Sequence, residues 1–388
     1  MLMHRIFMSL IVMASVASAQ PLSTDFDGSG SVDFGDFLLF AQAFGSSDGA
    51  FDLDGDGRVV FGDFRIFAQA FGNAGSTIPS TYSEVMPSTG PPGRLDHTIV
   101  LEPSRSWMVM FGGRRDTEIG DTWIYDLATG VWREVITTVR PEARRGHVAV
   151  YDPSRDEMVL FGGQTLSGTF FNDTWRFSLA TETWSEVNVS GGPPSRRYGL
   201  SAILDTRRDR MVISHGFTNS GRFDDTWTLD LATRRWSQLS TQGPTPQARC
   251  LHAGGYDEAR DQMYLFGGCS SGIGPCPRND LWTLDLATST WREVAPAVSP
   301  AARSNLRLAC RDDGFYLFGG SNVAGTNDLW RYSFESGQWS EVETRGEIPP
   351  VRWSTGIIWD EARRRMMAFG GTDGGVWYDD LWQLEVAD

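Results

Sequence analysis

Hydrophobic positions in most of the chain come in short runs, some alternating with polar residues and some continuous, and clusters of Gly, Pro, Asp and Ser separate one run from the next. Residues 146–187 show the unit. Gly146-His147-Val148-Ala149-Val150-Tyr151 leads to a turn at Asp152-Pro153-Ser154-Arg155. Met158-Val159-Leu160-Phe161-Gly162-Gly163, Thr174-Trp175-Arg176-Phe177-Ser178-Leu179 and Thr183-Trp184-Ser185-Glu186-Val187 follow. Alternation of period two, β-branched and aromatic residues and flanking turn clusters are strand signals, and helical spacing of apolar residues is missing. The unit predicts four short antiparallel strands.

The unit recurs six times. A glycine pair closes the second run at Gly112-Gly113, Gly162-Gly163, Gly267-Gly268, Gly319-Gly320 and Gly370-Gly371, with a degenerate copy at His215-Gly216. The residues heading these copies are Phe111, Phe161, Ser214, Phe266, Phe318 and Phe369, at steps of 50, 53, 52, 52 and 51. Trp123, Trp175, Trp227, Trp282, Trp330 and Trp382 keep the same beat inside an Asp-x-Trp. A steady period of this length marks a repeat architecture, and four strands per repeat arranged radially make a propeller blade. Arg-x-x-His before the first strand, the glycine pair, Asp-x-Trp and the fourth-strand Trp resemble kelch repeats. The resemblance covers residues 82 to 388 and implies an all-β, six-bladed kelch β-propeller over 81–388.

Closure of such a ring can be read from the two ends of the repeat region. The sixth copy has three strands before Asp388, which would leave an open edge. Tyr82-Ser83-Glu84-Val85 and Pro91-Pro92-Gly93-Arg94 match Trp184-Ser185-Glu186-Val187 and Pro193-Pro194-Ser195-Arg196 at an offset of 102. The chain near 81–86 is therefore expected to pair with 380–386 as the outer strand of the last blade.

A second, shorter repeat occupies residues 20–73, joined to the propeller by a linker at 74–80. Asp25-Phe26-Asp27-Gly28-Ser29-Gly30-Ser31-Val32-Asp33-Phe34-Gly35-Asp36 returns 27 residues later from Asp52-Leu53-Asp54-Gly55-Asp56-Gly57 to Asp63. Oxygen ligands at loop positions 1, 3, 5 and 12 with Gly at 6 suit a hard cation that takes six to eight oxygens. The expected ligands are Asp25, Asp27, Ser29, the Ser31 carbonyl, Asp33 and Asp36 for one calcium ion. Those for a second are Asp52, Asp54, Asp56, the Arg58 carbonyl and Asp63. Position 12 in each copy is expected to open a short apolar helix. A loop followed by its exit helix, duplicated, is similar to a dockerin, a small α-helical, EF-hand-like calcium module. Cohesin recognition in that family uses polar residues at loop positions 10 and 11, whereas Phe34-Gly35 and Phe61-Gly62 stand here, so cohesin binding is not expected.

Composition narrows the function. Residues 1–19 join His4 and Arg5 to an apolar run from Ile6 to Val16 and Ala17-Ser18-Ala19, the pattern of a secretory signal peptide. A secreted or cell-envelope location is expected, without membrane insertion. The net charge of −15 disfavours nucleic acid and anionic membrane as partners. All 34 basic residues are arginine, which excludes lysine Schiff-base chemistry.

Candidate chemistry lies mainly on one rim. Links between blades and the loops joining strands 2 and 3 share a rim and vary between copies, while the tight hairpins of the other rim are nearly uniform. Arg94, Arg144, Arg196, Arg249, Arg303 and Arg352 face Asp121, Asp173, Asp225, Asp280, Asp328 and Asp380 at that variable rim, and six against six suggests structural ion pairs. His97, His147 and His252 repeat at one blade position and His215 replaces a glycine, so a shared metal site is not expected. Cys269 and Cys276, closing a short loop, are the expected disulfide, with Cys250 the competing partner and Cys310 on the far rim. Phe170, Phe171, Tyr198, Phe217, Phe223, Trp353, Trp377 and Tyr378 lie outside the repeated Trp set and are the candidate ligand-binding rim.

The expected function is a scaffold that binds protein or carbohydrate through this rim. Known kelch propellers imply enzymatic alternatives, a sialic acid mutarotase-like isomerase or a galactose-oxidase-like oxidase, but no catalytic set assembles in the sequence.

Overall fold

The computed structural model describes residues 24, 26, 27, 32, 34–54, 56–70, 80–87, 89–270, 276–322 and 325–386. The expected signal peptide, most of the expected linker and the expected ligands Asp25, Ser29, Ser31 and Asp33 lie outside the described residues. The chain divides into two compact units, Met1–Ile78 with Ala387–Asp388, and Pro79–Val386.

The larger unit is a ring of six antiparallel sheets. Blades 1 to 5 each hold four strands in sequence order, as in blade 2 with Val148–Asp152, Glu157–Phe161, Thr174–Ser178 and Thr183–Glu186, and in blade 4 the short strand Cys269–Ser270 intervenes between the second and third. The first strands of neighbouring blades pack against one another all the way round, so they line a central channel. Blade 6 takes its fourth strand from the other end of the sequence. Ser80–Val85 lies antiparallel to Leu381–Glu385, with Thr81 opposite Glu385 and Val85 opposite Leu381, which is the expected closure. A further short strand, Thr344–Gly346, pairs parallel to Ser80–Val85 and covers its outer edge, a protection the repeat pattern does not encode.

The repeated residues join each blade to the next. Fourth-strand Trp184, Trp236, Trp339 and Trp132 are buried against Phe111, Phe161, Phe266 and Phe369 of the preceding blade, ring centroids 4.9–5.2 Å apart. Tyr82 takes that place in blade 6, packed on Phe318 at 5.7 Å. The second glycine of each pair then donates its N–H across the same boundary: Gly113 to the Arg144 carbonyl, Gly163 to Arg197, Gly268 to Arg303, Gly320 to Arg352 and Gly371 to Arg94. A Cβ on Gly112, where φ is +69°, would stand 2.9 Å from the Arg144 carbonyl oxygen, so a side chain there would push the blades apart. His215 replaces the first glycine in blade 3 and keeps its left-handed conformation at φ 61°. The strand bulges at this point between Ser214 and Gly216, as it does at the same place in blades 1 and 5.

The smaller unit contains helices α1, Phe34–Ala43, and α2, Phe61–Ala70. Both begin two residues earlier than expected. In α2 the reason is local: Asp63 turns back and its Oδ2 accepts the Val60 N–H at 2.7 Å, so it caps the helix from within the first turn. Phe40 and Phe67 stack at 5.2 Å and form a small core with Val32 and Val59.

Candidate functional site

The arginines of the variable rim are structural. Arg94, Arg144, Arg197, Arg249, Arg303 and Arg352 are completely buried, and each grips its aspartate with both terminal nitrogens at 2.5–3.0 Å. Each also donates to the carbonyl of the first residue of the glycine pair, Gly112, Gly162, His215, Gly267, Gly319 or Gly370. The Asp-x-Trp indole bonds the same carboxylate at 2.7–2.8 Å, which explains the two-residue spacing. Burial pulls the carboxyls of Asp173, Asp225, Asp280 and Asp328 upward, but the arginine hydrogen bonds and charge and the indole hydrogen bond together outweigh it and hold them below the usual range. In blade 3 the paired residue is Arg197 and not Arg196, which is exposed. A one-residue insertion between Val187 and Pro194 breaks the constant offset of 102, since Pro194 precedes Arg197 by three residues as Pro91 precedes Arg94.

Packing sorts the eight rim aromatics into three groups. Phe171, Phe223 and Tyr378 lie flat over the guanidinium groups of Arg144, Arg197 and Arg352 at 3.9–4.1 Å. All three stand two residues before the paired aspartate, so they do have a blade-repeat counterpart, contrary to expectation, and serve as lids on the buried ion pairs. Trp353 and Trp377 flank Thr372 in blade 6 through backbone bridges and are half-buried. Phe170, Tyr198 and Phe217, from blades 2 and 3, converge. Their ring centroids are 5.8–6.2 Å apart, with Arg145 over Tyr198 and Arg222 over Phe217. Exposed Leu166 lies in the blade 2 loop that leads into Phe170.

Cys250 sits beside this patch, against Gly199. A disulfide joins Cys269 to Cys276, Cα atoms 4.6 Å apart, and Cys250 is opposite Cys269 in a two-strand ladder with a free thiol. Burial pushes the Cys250 thiol up, so it is not poised as a nucleophile at neutral pH.

His97, His147 and His252 line one cavity of about 140 Å³ in the central channel, together with Arg307. Among the described residues they do not converge as metal ligands; the acidic or histidine group that does is Asp52, Asp54 and Asp63 in the smaller unit, with carboxylate oxygens within 4.8 Å of one another. Asp52 Oδ2 accepts the Gly57 N–H at 2.8 Å and Asp63 Oδ1 accepts the Leu53 N–H at 2.6 Å, which folds the loop around the three carboxylates. Asp54 and Asp56 brace the turn by accepting the N–H groups of Asp56 and Arg58. Of the first loop, Asp27 and Asp36 are described, and Asp36 Oδ1 accepts the N–H groups of Phe26 and Asp27 as Asp63 does for Leu53 and Asp54. Three carboxylates and a loop turning at Gly57 fit calcium by the chemistry of the donors.

Arg307 is the channel residue the sequence reading missed. It lies opposite Phe318 in the register of blade 5, where the other blades carry Thr98, Val148, Ser201, Ala253 and Gly356. Aligning the first strands on the residues that head the glycine pairs exposes a lone charge in that column.

Comparison with known proteins agrees with this geometry. The KLHDC2/KLHL20/DRC7 Kelch-repeats domain matches residues 80–260 and 233–388. The human leucine-zipper-like transcriptional regulator 1 is 29% identical over 232 residues, which are 56% of this chain and 27% of that protein. Kelch domain-containing protein 3 of Bos taurus is 28% identical over 215 residues, 52% of this chain and 54% of that protein. Kelch domain-containing protein 10 of Xenopus laevis is 24% identical over 228 residues, 56% and 54%. The chain thus spans about half or less of the length of these relatives. With the family model matched from the closing strand to the last blade, the chain belongs to the kelch-repeat family of six-bladed propellers.

Proposed function

We propose that the chain is a protein-interaction scaffold that holds its partner on the variable rim of blades 2 and 3. The observation that carries this is the convergence of Phe170, Tyr198 and Phe217 beneath Arg145 and Arg222, next to exposed Leu166. Aromatic rings and arginines brought together at a rim are the residue types that anchor protein partners. Phe171, Phe223 and Tyr378 are spent on the ion pairs beneath them, and Trp353 and Trp377 form a separate corner. Kelch-domain relatives support a protein partner over a carbohydrate. The test is quantitative binding to a partner identified by cross-linking from Ser167. Leu166→Glu should weaken that binding at least tenfold, about 1.4 kcal/mol, at unchanged thermal stability; equal affinity rejects this rim.

The N-terminal unit, in this reading, is a calcium-binding attachment module of an exported protein. Support comes from the Asp52, Asp54 and Asp63 cluster and from the matching in-register loop around Asp36. Calorimetric titration of the full chain should show two calcium sites, one of them lost in Asp52→Asn/Asp54→Asn. No binding heat at about millimolar calcium, where the weakest modules of this chemistry still bind, defeats it.

A further inference from the structure

The polar end of the channel follows a rule that one arc of the ring breaks. Each boundary brings a first-strand residue of one blade against the residue that precedes the first strand of the next. Between blades 1 and 2, Thr98 Oγ1 bonds His147 Nε2 at 2.8 Å. Between blades 3 and 4, Ser201 Oγ bonds His252 Nε2 at 2.9 Å. Val148 shares an apolar cluster with Leu200 between blades 2 and 3, and Ala253 with Leu306 between blades 4 and 5. Four boundaries are therefore matched, hydroxyl to imidazole or aliphatic to aliphatic.

The remaining two are not. From blade 5 to blade 6 the corresponding residues are Arg307 and Thr355, and the buried Thr355 Oγ1, turned toward Gly371, has no partner. From blade 6 to blade 1, Gly356 offers no hydroxyl to His97, which is 1% exposed and has both ring nitrogens unpaired while lining the cavity. A Cβ on Gly356 would lie 2.5 Å from His97 Nε2, so the glycine is what leaves this ring room without a partner. Arg307 bonds one backbone carbonyl, that of Leu306, and has no ion pair among the described residues. Asp96, whose charge acts on it, pairs with Arg145 instead. Arg307 is half-buried, whereas each of the six fully buried arginines of the propeller holds a carboxylate with two bonds. A guanidinium stays protonated, and a desolvated charge without a counterion is costly.

We propose that Arg307 and His97 bind a small oxyanion, phosphate or carboxylate in form, in the polar half of the central channel. The guanidinium supplies the charge and a fork of donors that matches two oxygens of the anion. His97 supplies a neutral ring N–H. A cavity of about 140 Å³ admits a phosphate or the head of a small acid but no folded chain. Entry is open from the far side, because the apolar half of the channel, about 330 Å³, shares Ile99, Ala202, Gly254, Leu308 and Ile357 with the polar half.

The test uses the full chain with imidazole resonances followed by NMR at constant ionic strength. Inorganic phosphate in one arm and acetate in the other should shift the His97 ring saturably, with His147 and His252, already bonded to hydroxyls, responding less. Saturation in either arm supports the site, and the preferred arm distinguishes a tetrahedral from a planar ligand. Arg307→Gln should abolish the response and His97→Asn should weaken binding at least tenfold. No saturable shift in the unaltered chain up to about 20 mM of either anion, beyond the millimolar range of weak specific binding, overturns the proposal. So does an equal response in Arg307→Gln.

Discussion

Each buried imidazole in the propeller must stay neutral to stay buried. Burial lowers the affinity of His97, His147, His215 and His252 for protons, and the charges of Arg94, Arg144 and Arg249 beside them lower it further. His215 falls to about 3. Unfolding frees these rings to take up protons near pH 6.5, so below that pH the unfolded state binds more protons and stability falls as pH falls. Each ring contributes a slope of about 1.4 kcal/mol per pH unit between its unfolded and folded values. The depressed carboxyls of Asp173, Asp225, Asp280 and Asp328 add their loss only below about 3.8. Denaturant unfolding should therefore show stability dropping steeply between about pH 6.5 and pH 5, above the range of those four carboxyls; a flat profile there contradicts the burial. At the same scale Tyr378→Ala, which uncovers Arg352 and breaks the hydroxyl bond to Asp373, should cost about 1–2 kcal/mol. Rim position alone marked Tyr378 as a ligand contact. The fixed position two residues before the paired aspartate was present in the sequence, but that it lies over a buried arginine becomes visible only in the folded blade.

At the scale of elements, the closing strand is the most sensitive part of the ring. Tyr82 stands where the other blades have Trp, buried at 2% exposure with its hydroxyl unpaired. Tyr82→Ala should destabilise by about 3–5 kcal/mol by opening a cavity against Phe318. Tyr82→Phe should be neutral or stabilising by up to about 1 kcal/mol, since it removes an unsatisfied buried group. Chemical denaturation of the two variants checks both, and equal losses would place the ring outside the blade 5 to blade 6 contact. This strand was legible in the sequence because its Tyr-Ser-Glu-Val repeats the Trp-Ser-Glu-Val of blade 2. The cap at Thr344–Gly346 was not, since it has no counterpart in any other repeat. The hairpin rim hides a comparable device. Arg105 pairs with Asp156, Arg155 with Asp209 and Arg208 with Asp261, each across a blade boundary. Uniform hairpins signalled the repeat, while the partners, 51 to 54 residues apart, become visible only when blades stand side by side.

Across the whole molecule, regularity and exception divide the labour. The glycine pairs, Asp-x-Trp and the arginines recur because every blade must lock to the next, and their period made the architecture readable. Residues that break the period, Arg307, Gly356, Leu166 and the Phe170, Tyr198, Phe217 cluster, are the ones available for recognition. The eight rim aromatics were named from the sequence, but the channel residues were not, because the proposed anion site is defined by an absence at Gly356 that only the ring reveals. The most direct test of the rim as the recognition surface is photo-crosslinking of the full chain from two positions, Ser167 on the variable rim and Ser154 on the hairpin rim. The scaffold account expects one protein partner captured from Ser167, with capture and affinity reduced together at least tenfold by Leu166→Glu. Capture of that partner from Ser154 with equal yield, unaffected by Leu166→Glu, would contradict it.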